Sequence, residues 1–137
     1  MASAVKYETF VEDMANKLHD LFGTNDTVLA VIHTDAPVPS TDTAVGNLTQ
    51  ISGTGYAAAD IQNDGTRSGG TVTVTGVDYT WTATAADWTS TARYVSIYND
   101  TSVTDRLILS WDYGATFAVG NGETFTLDFG ASVFTLS

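Results

Sequence analysis

ARYVSIYNDTSVTDRLILSWDYG, residues 92–114, carries two runs dense in β-branched and aromatic residues, Arg93 to Asn99 and Arg106 to Tyr113. Between them lies a polar segment, Asp100 to Asp105, with the composition of a turn. Side chains alternate faces along a strand, so Val95 and Ile97 are expected on one side and Tyr94, Ser96 and Tyr98 on the other. By the same rule Leu107, Leu109, Trp111 and Tyr113 share a face, with Ile108, Ser110 and Asp112 opposite. Large apolar groups on both faces predict an antiparallel hairpin in the middle of a sheet, because an edge strand would leave many of them in water.

Working outward, strict alternation recurs at Thr71 to Thr75 and Tyr79 to Ala83, with Gly76 to Asp78 as the turn between them. The connection 85–90 then leads into the hairpin. Downstream, Asn121-Gly122 separates Thr116 to Val119 from Glu123 to Phe129, a strong hairpin signal, and Val133 to Leu136 reads as a closing strand. Upstream, Thr27 to Thr34 is a continuous apolar run that predicts a buried strand, ended by Pro37 and Pro39. Leu48 to Ser52 reads as a short strand, Gly53 to Tyr56 as a turn, and most of Ala57 to Gly70 as irregular. Tyr7, Phe10, Val11, Met14, Ala15, Leu18, Leu21 and Phe22 recur at spacings of three and four, which predicts a helix over 6–22 capped by Gly23. Residues 1–5 read as a mobile arm.

One helix followed by about eight short, turn-separated strands over 27–136 predicts one mainly β domain, 1–137. The expected architecture is an antiparallel β-sandwich, jelly-roll-like, with one N-terminal amphipathic α-helix. A chain of 137 residues is the size of a single core. Charged residues make up only 15%, with 16 acids against 5 bases and a net charge of -11. That balance argues against nucleic acid and anionic membranes as partners. There is no cysteine, so stability is expected from packing and assembly, without disulfides or thiolate metal sites. No apolar run of membrane-spanning length and no secretion leader is apparent, so the chain is expected to stay soluble where it is made.

Chemical motifs are sparse. His19 and His33 have no second ligand at metal-binding spacing, and no Gly-x-Ser-x-Gly elbow marks a nucleophile. A Ser-His-Asp assembly depends on geometry that spacing does not give. Asp60 to Gly65 begins like a calcium loop, but the twelfth position is Thr71 in place of a bidentate glutamate. Gly53-x-Gly55-x-x-Ala58 lies in no β-α-β unit and reads as a chance match to a dinucleotide fingerprint. Asp87, Asp112 and Glu123 are the carboxylates a glycosidase or other hydrolase would draw on. Trp81 and Trp111 fall on apolar faces and read as core, whereas Trp88, in a connection, reads as the exposed aromatic. No enzyme activity, cofactor or metal is expected.

Six segments carry the resemblance to a known group: Tyr7 to Ala15, Thr27 to Pro37 and Leu48 to Tyr56, then Ala92 to Asp100, Leu107 to Gly114 and Gly122 to Phe129. Together they resemble small structural virion proteins of tailed bacteriophages over nearly the full length. Ala57-Ala-Ala-Asp60 departs from the pair of glycines expected after Gly-Tyr. The resemblance implies a head decoration or cement protein, made in the host cytoplasm and seated on the outer capsid surface of the virion. Its partners would be the major capsid protein and further copies of itself, as a dimer or trimer. Lys6, Pro37, Pro39, Asp60, Asp64 and Trp88 are the candidate partner-binding residues, because they lie in the arm, loops and connection expected to be exposed. A tail or fibre component that binds host glycan through Trp88 is the alternative.

Overall fold

The computed structural model describes residues 4–23, 25–88 and 91–137. The chain runs β1 (Ala4–Lys6), α1 (Glu8–Ala15), β2 (Val28–His33), a 3-10 turn (Val45–Asn47), β3 (Ala59–Asp60), β4 (Asp64–Ser68) and β5 (Thr71–Thr75). It continues with β6 (Tyr79–Thr82), β7 (Ala92–Asn99), β8 (Arg106–Phe117), β9 (Thr124–Leu127) and β10 (Phe134–Leu136). The fold is mainly β, antiparallel and β-sandwich-like, with the helix near its N-terminus. A five-stranded sheet in the order β1-β8-β7-β2-β3 faces a three-stranded sheet, β10-β5-β4, and a two-stranded one, β6-β9. No helix among the described residues is long and apolar enough to cross a membrane.

The hairpin β7-β8 occupies the middle of the large sheet, as its two apolar faces require. Val28, Ala30, Ile32, Val95, Ile97 and Trp111 face the smaller sheets and form the main core with Val74, Trp81, Leu127 and Phe129. Fully burying one such large side chain stabilises by about 1.5–3 kcal/mol. Trp81 and Trp111 are core residues, as alternation predicted. The opposite face carries a second cluster of Tyr7, Val31, Leu48, Tyr98 and Leu107. Leu107 does not share a face with Leu109, contrary to strict alternation. Ile97 pairs with Leu109 but Tyr98 pairs with Leu107, so Ile108 is an extra residue, a β-bulge that turns both Ile108 and Leu109 toward the main core.

Five expectations are corrected. The helix ends at Ala15, not Phe22: Lys17 takes a left-handed φ of 61°, and Lys17 N–H and Leu18 N–H bond the carbonyls of Met14 and Asp13, at 3.2 and 2.9 Å. That is a Schellman termination, with a lysine where glycine is usual. Ala4 to Lys6 is no mobile arm but a strand paired with Leu109 to Trp111 of β8, while residues 1–3 lie outside the described residues. Asn121-Gly122 turns the chain, with Glu123 N–H on Gly120 O at 2.8 Å, yet its flanks enter different sheets because β9 pairs with β6. The stretch 57–70, read as irregular, contains β3 and β4, and β4 pairs with all five residues of β5. In place of a strand, Leu48 to Ser52 makes only a single bridge, from Gln50 to His33, directly after the 3-10 turn.

Candidate functional site

The chemistry the sequence left open lies on the second face of the large sheet. His33 pairs with Tyr94 across β2 and β7, which sets it diagonally to Ser96 on the same face. Ser96 Oγ lies 2.8 Å from His33 Nε2, and His33 Nδ1 lies 3.0 Å from Asp35 O and 3.3 Å from Asp35 Oδ1. Tyr7 OH reaches Ser96 Oγ from the other side at 2.9 Å. A carbonyl only accepts, so Nδ1 carries the imidazole proton and Nε2 accepts from the Ser96 hydroxyl, which in turn accepts from Tyr7. This is the proton arrangement of a resting Ser-His-Asp triad. Yet Ser96 and His33 are both 0% exposed, and the serine oxygen is held on both sides. Burial drives the His33 pKa below its ordinary 6.5, against the pull of Asp35. The arrangement is a closed hydrogen-bond chain that binds the N-terminal segment and the loop after β2 to the sheet.

A second polar centre sits under α1. Asp13, 1% exposed, receives Arg106 Nε and Nη2 at 2.8 and 2.7 Å, while Thr9 donates to it at 3.1 Å and also meets the guanidinium. Asn99 Oδ1 accepts the N–H groups of Thr101 and Ser102, which orients the amide so that the two Nδ2 hydrogens are shared among Leu18 O, His19 Nδ1 at 2.9 Å and Asp26 Oδ2 at 2.7 Å. His19 Nδ1 is therefore an acceptor and the ring proton lies on Nε2. That nitrogen is buried without a hydrogen-bond partner, 3.8 Å from Asp13 Oδ2. Burial lowers the His19 pKa below 6.5, against the attraction of Asp13 and Asp26.

The predicted contact residues separate. Asp60 and Asp64 come together in an open hollow of about 300 Å³, joined by Asp26, Gly23 and Asn63. Their oxygens cap the backbone: Asp60 Oδ1 accepts from Gln62 N, and Asp64 Oδ1 from Gly23 N and Gly65 N, which hold the Asp64 pKa down. No cluster of three metal-ligating groups forms among the described residues. Lys6 ends β1, exposed at the sheet edge, and Pro39 accepts Glu8 N–H at 3.0 Å, fixing the start of α1. Pro37 is half-buried in the same loop.

Trp88 is not exposed. At 5% it belongs to the main core, because Trp88 N–H bonds Val119 O and Ala83 N–H bonds Glu123 O, drawing the connection inward. Its indole packs edge-on to Tyr56 and against Gly53, where a Cβ would come within 2.5 Å of Trp88 Cδ1. Residues 89 and 90 of that connection lie outside the described residues.

The hydrolase carboxylates are likewise engaged. Asp112 forms a two-point pair with Arg93 at 2.7 and 2.9 Å, which lowers its pKa. Asp87 and Glu123 meet at one turn, where they cap Asn121 N and Gly120 N. Sequence reading missed the partners of both histidines; the only available signal was that Ser96 and the tyrosines of β7 share one face. No family model, curated protein or solved structure matches the chain.

Proposed function

We propose that the chain is a non-catalytic structural protein of a tailed-phage virion, which sits on the outer surface of the head, binds the major capsid protein and stabilises the shell. The observation that carries the reading is where the reactive side chains are spent. The one Ser-His-Asp chain among the described residues is sealed inside the sheet, and all three tryptophans are packed in the core. Such a molecule acts through its outer faces. The sequence resemblance supplies the partner, and the net charge of -11 favours a position away from packaged DNA. Many copies as dimers or trimers on a symmetric lattice let weak contacts act together.

The test is to add the purified protein to phage heads that lack it and follow cosedimentation and heat-induced release of DNA. Saturable binding with a higher release temperature is the expected result. Heads that neither bind the protein nor gain stability overturn the reading, and saturable binding to host polysaccharide instead would favour a tail or fibre component.

A further inference from the structure

We infer that an apolar groove and the acidic hollow beside it form one docking surface for a protein segment that presents a large apolar side chain next to lysine or arginine. The groove lies between the segment 14–22 and strands β5 and β10, with Met14, Leu21, Phe22, Val72, Val74 and Leu136 in its walls and a volume of about 120 Å³. A small-molecule site takes roughly 300–1,000 Å³, so this one suits a single inserted side chain, as interface anchors do. Met14 and Phe22, both on the apolar three-four spacing, are 37% and 41% exposed. Phe22 stands there because β4 has a glycine beneath it: a Cβ on Gly65 would lie 3.0 Å from the ring.

Phe22 lines the groove, and its chain neighbour Gly23 lines the hollow with Asp26, Asp60 and Asp64. The ion pairs among the described residues use Asp13, Asp35 and Asp112 only, so no described base pairs with those three carboxylates. This charge selects the occupant. A second copy carries the same net -11 and, across a two-fold axis, would set this face against itself. Anionic lipid and nucleic acid are repelled for the same reason. A basic side chain next to an apolar anchor meets both halves. The inference stands apart from the capsid reading, since the partner is defined by its side chains alone.

The experiment is a titration of the full-length ¹⁵N-labelled protein with two short probe peptides, one with leucine flanked by lysines and one with leucine flanked by glutamates. The lysine peptide is expected to shift backbone signals of residues 14, 20–23, 60–65 and 72–74, and to bind more weakly as salt rises. Phe22→Ser, Met14→Ser and the pair Asp60→Asn with Asp64→Asn, which keeps the capping oxygens, are each expected to weaken binding by about tenfold. Should Phe22→Ser fail to fold, Met14→Ser and the asparagine pair decide. No binding of the lysine peptide at millimolar concentration, equal binding of both peptides, or shifts scattered over other faces overturns the inference. Concentration-dependent shifts at the groove without peptide would assign it to a second copy and overturn it equally.

Discussion

His33 and His19 are both buried against the large sheet, but only one of them is fully satisfied. His33 lies within a strand, and pairing with β7 sets its distance to Ser96, so each ring nitrogen has a partner. His19 lies between α1 and β2, held by Asn99 from the end of β7, and its Nε2 is left over. Strand register sets side-chain geometry that a loop reaches only by contacts of its own. A buried donor without a partner costs about 1–3 kcal/mol, so the surroundings of His19 are the less stable half of this comparison.

Breaking each centre measures the difference. Arg106→Met leaves the Asp13 carboxylate buried without its counterion and is expected to cost about 3–5 kcal/mol, read as a lower urea midpoint with an unchanged slope. Ser96→Ala strips both Tyr7 OH and His33 Nε2 of their common partner; a loss of about 2 kcal/mol is expected, larger than that from Tyr7→Phe, which leaves Ser96 still donating to His33. Equal losses from the two would show that the chain is not directional. Lys17→Gly removes the left-handed lysine from the termination of α1 and should raise stability by about 1 kcal/mol, with slower hydrogen exchange in residues 16–22.

The smallest effect is the pH dependence. Both histidine pKa values lie below 6.5 in the fold, so on acidification the unfolded chain takes up protons first. Stability is therefore complete above pH 6.5 and falls as the pH drops below it, ahead of most carboxylates. His19→Gln and His33→Gln should each flatten this limb; a slope between pH 6.5 and 5 that neither variant alters contradicts burial of the neutral rings.

Sequence reading succeeded where local pattern and tertiary packing agree. The hairpin β7-β8 was legible because each strand needs cover on both faces, and Thr71 to Thr75 because its alternation is strict. Strand β4, Asp64-Gly-Thr-Arg-Ser68, has no apolar residue and β5 is its only strand partner, so no periodicity announces it. The end of α1 was hidden because the three-four spacing continues to Phe22 while Asn99, some 80 residues away in sequence, captures the chain at Leu18 and His19. Asn121-Gly122 fixes a turn but not the strand that β9 meets beyond it. For the sites, Asp60 and Asp64 were legible as a turn-rich acidic stretch, while Asp26 joins them only through the fold. Trp88 was misplaced because nothing local reveals that its connection is drawn against Val119.

The extra residue at Ile108 makes β8 a strand with two frames. From Leu109 onward the odd positions look toward the smaller sheets, whereas at Leu107 the odd position looks toward Tyr7. Deleting Ile108 alone would leave Leu107 opposite Tyr98 and Leu109 opposite Ile97 as consecutive residues of an ordinary strand, so that Trp111 and Leu107 both keep their oily surroundings. A one-codon deletion there thus empties one filled place in the interior and removes the carbonyl that accepts Tyr7 N–H, while the frame of the strand survives.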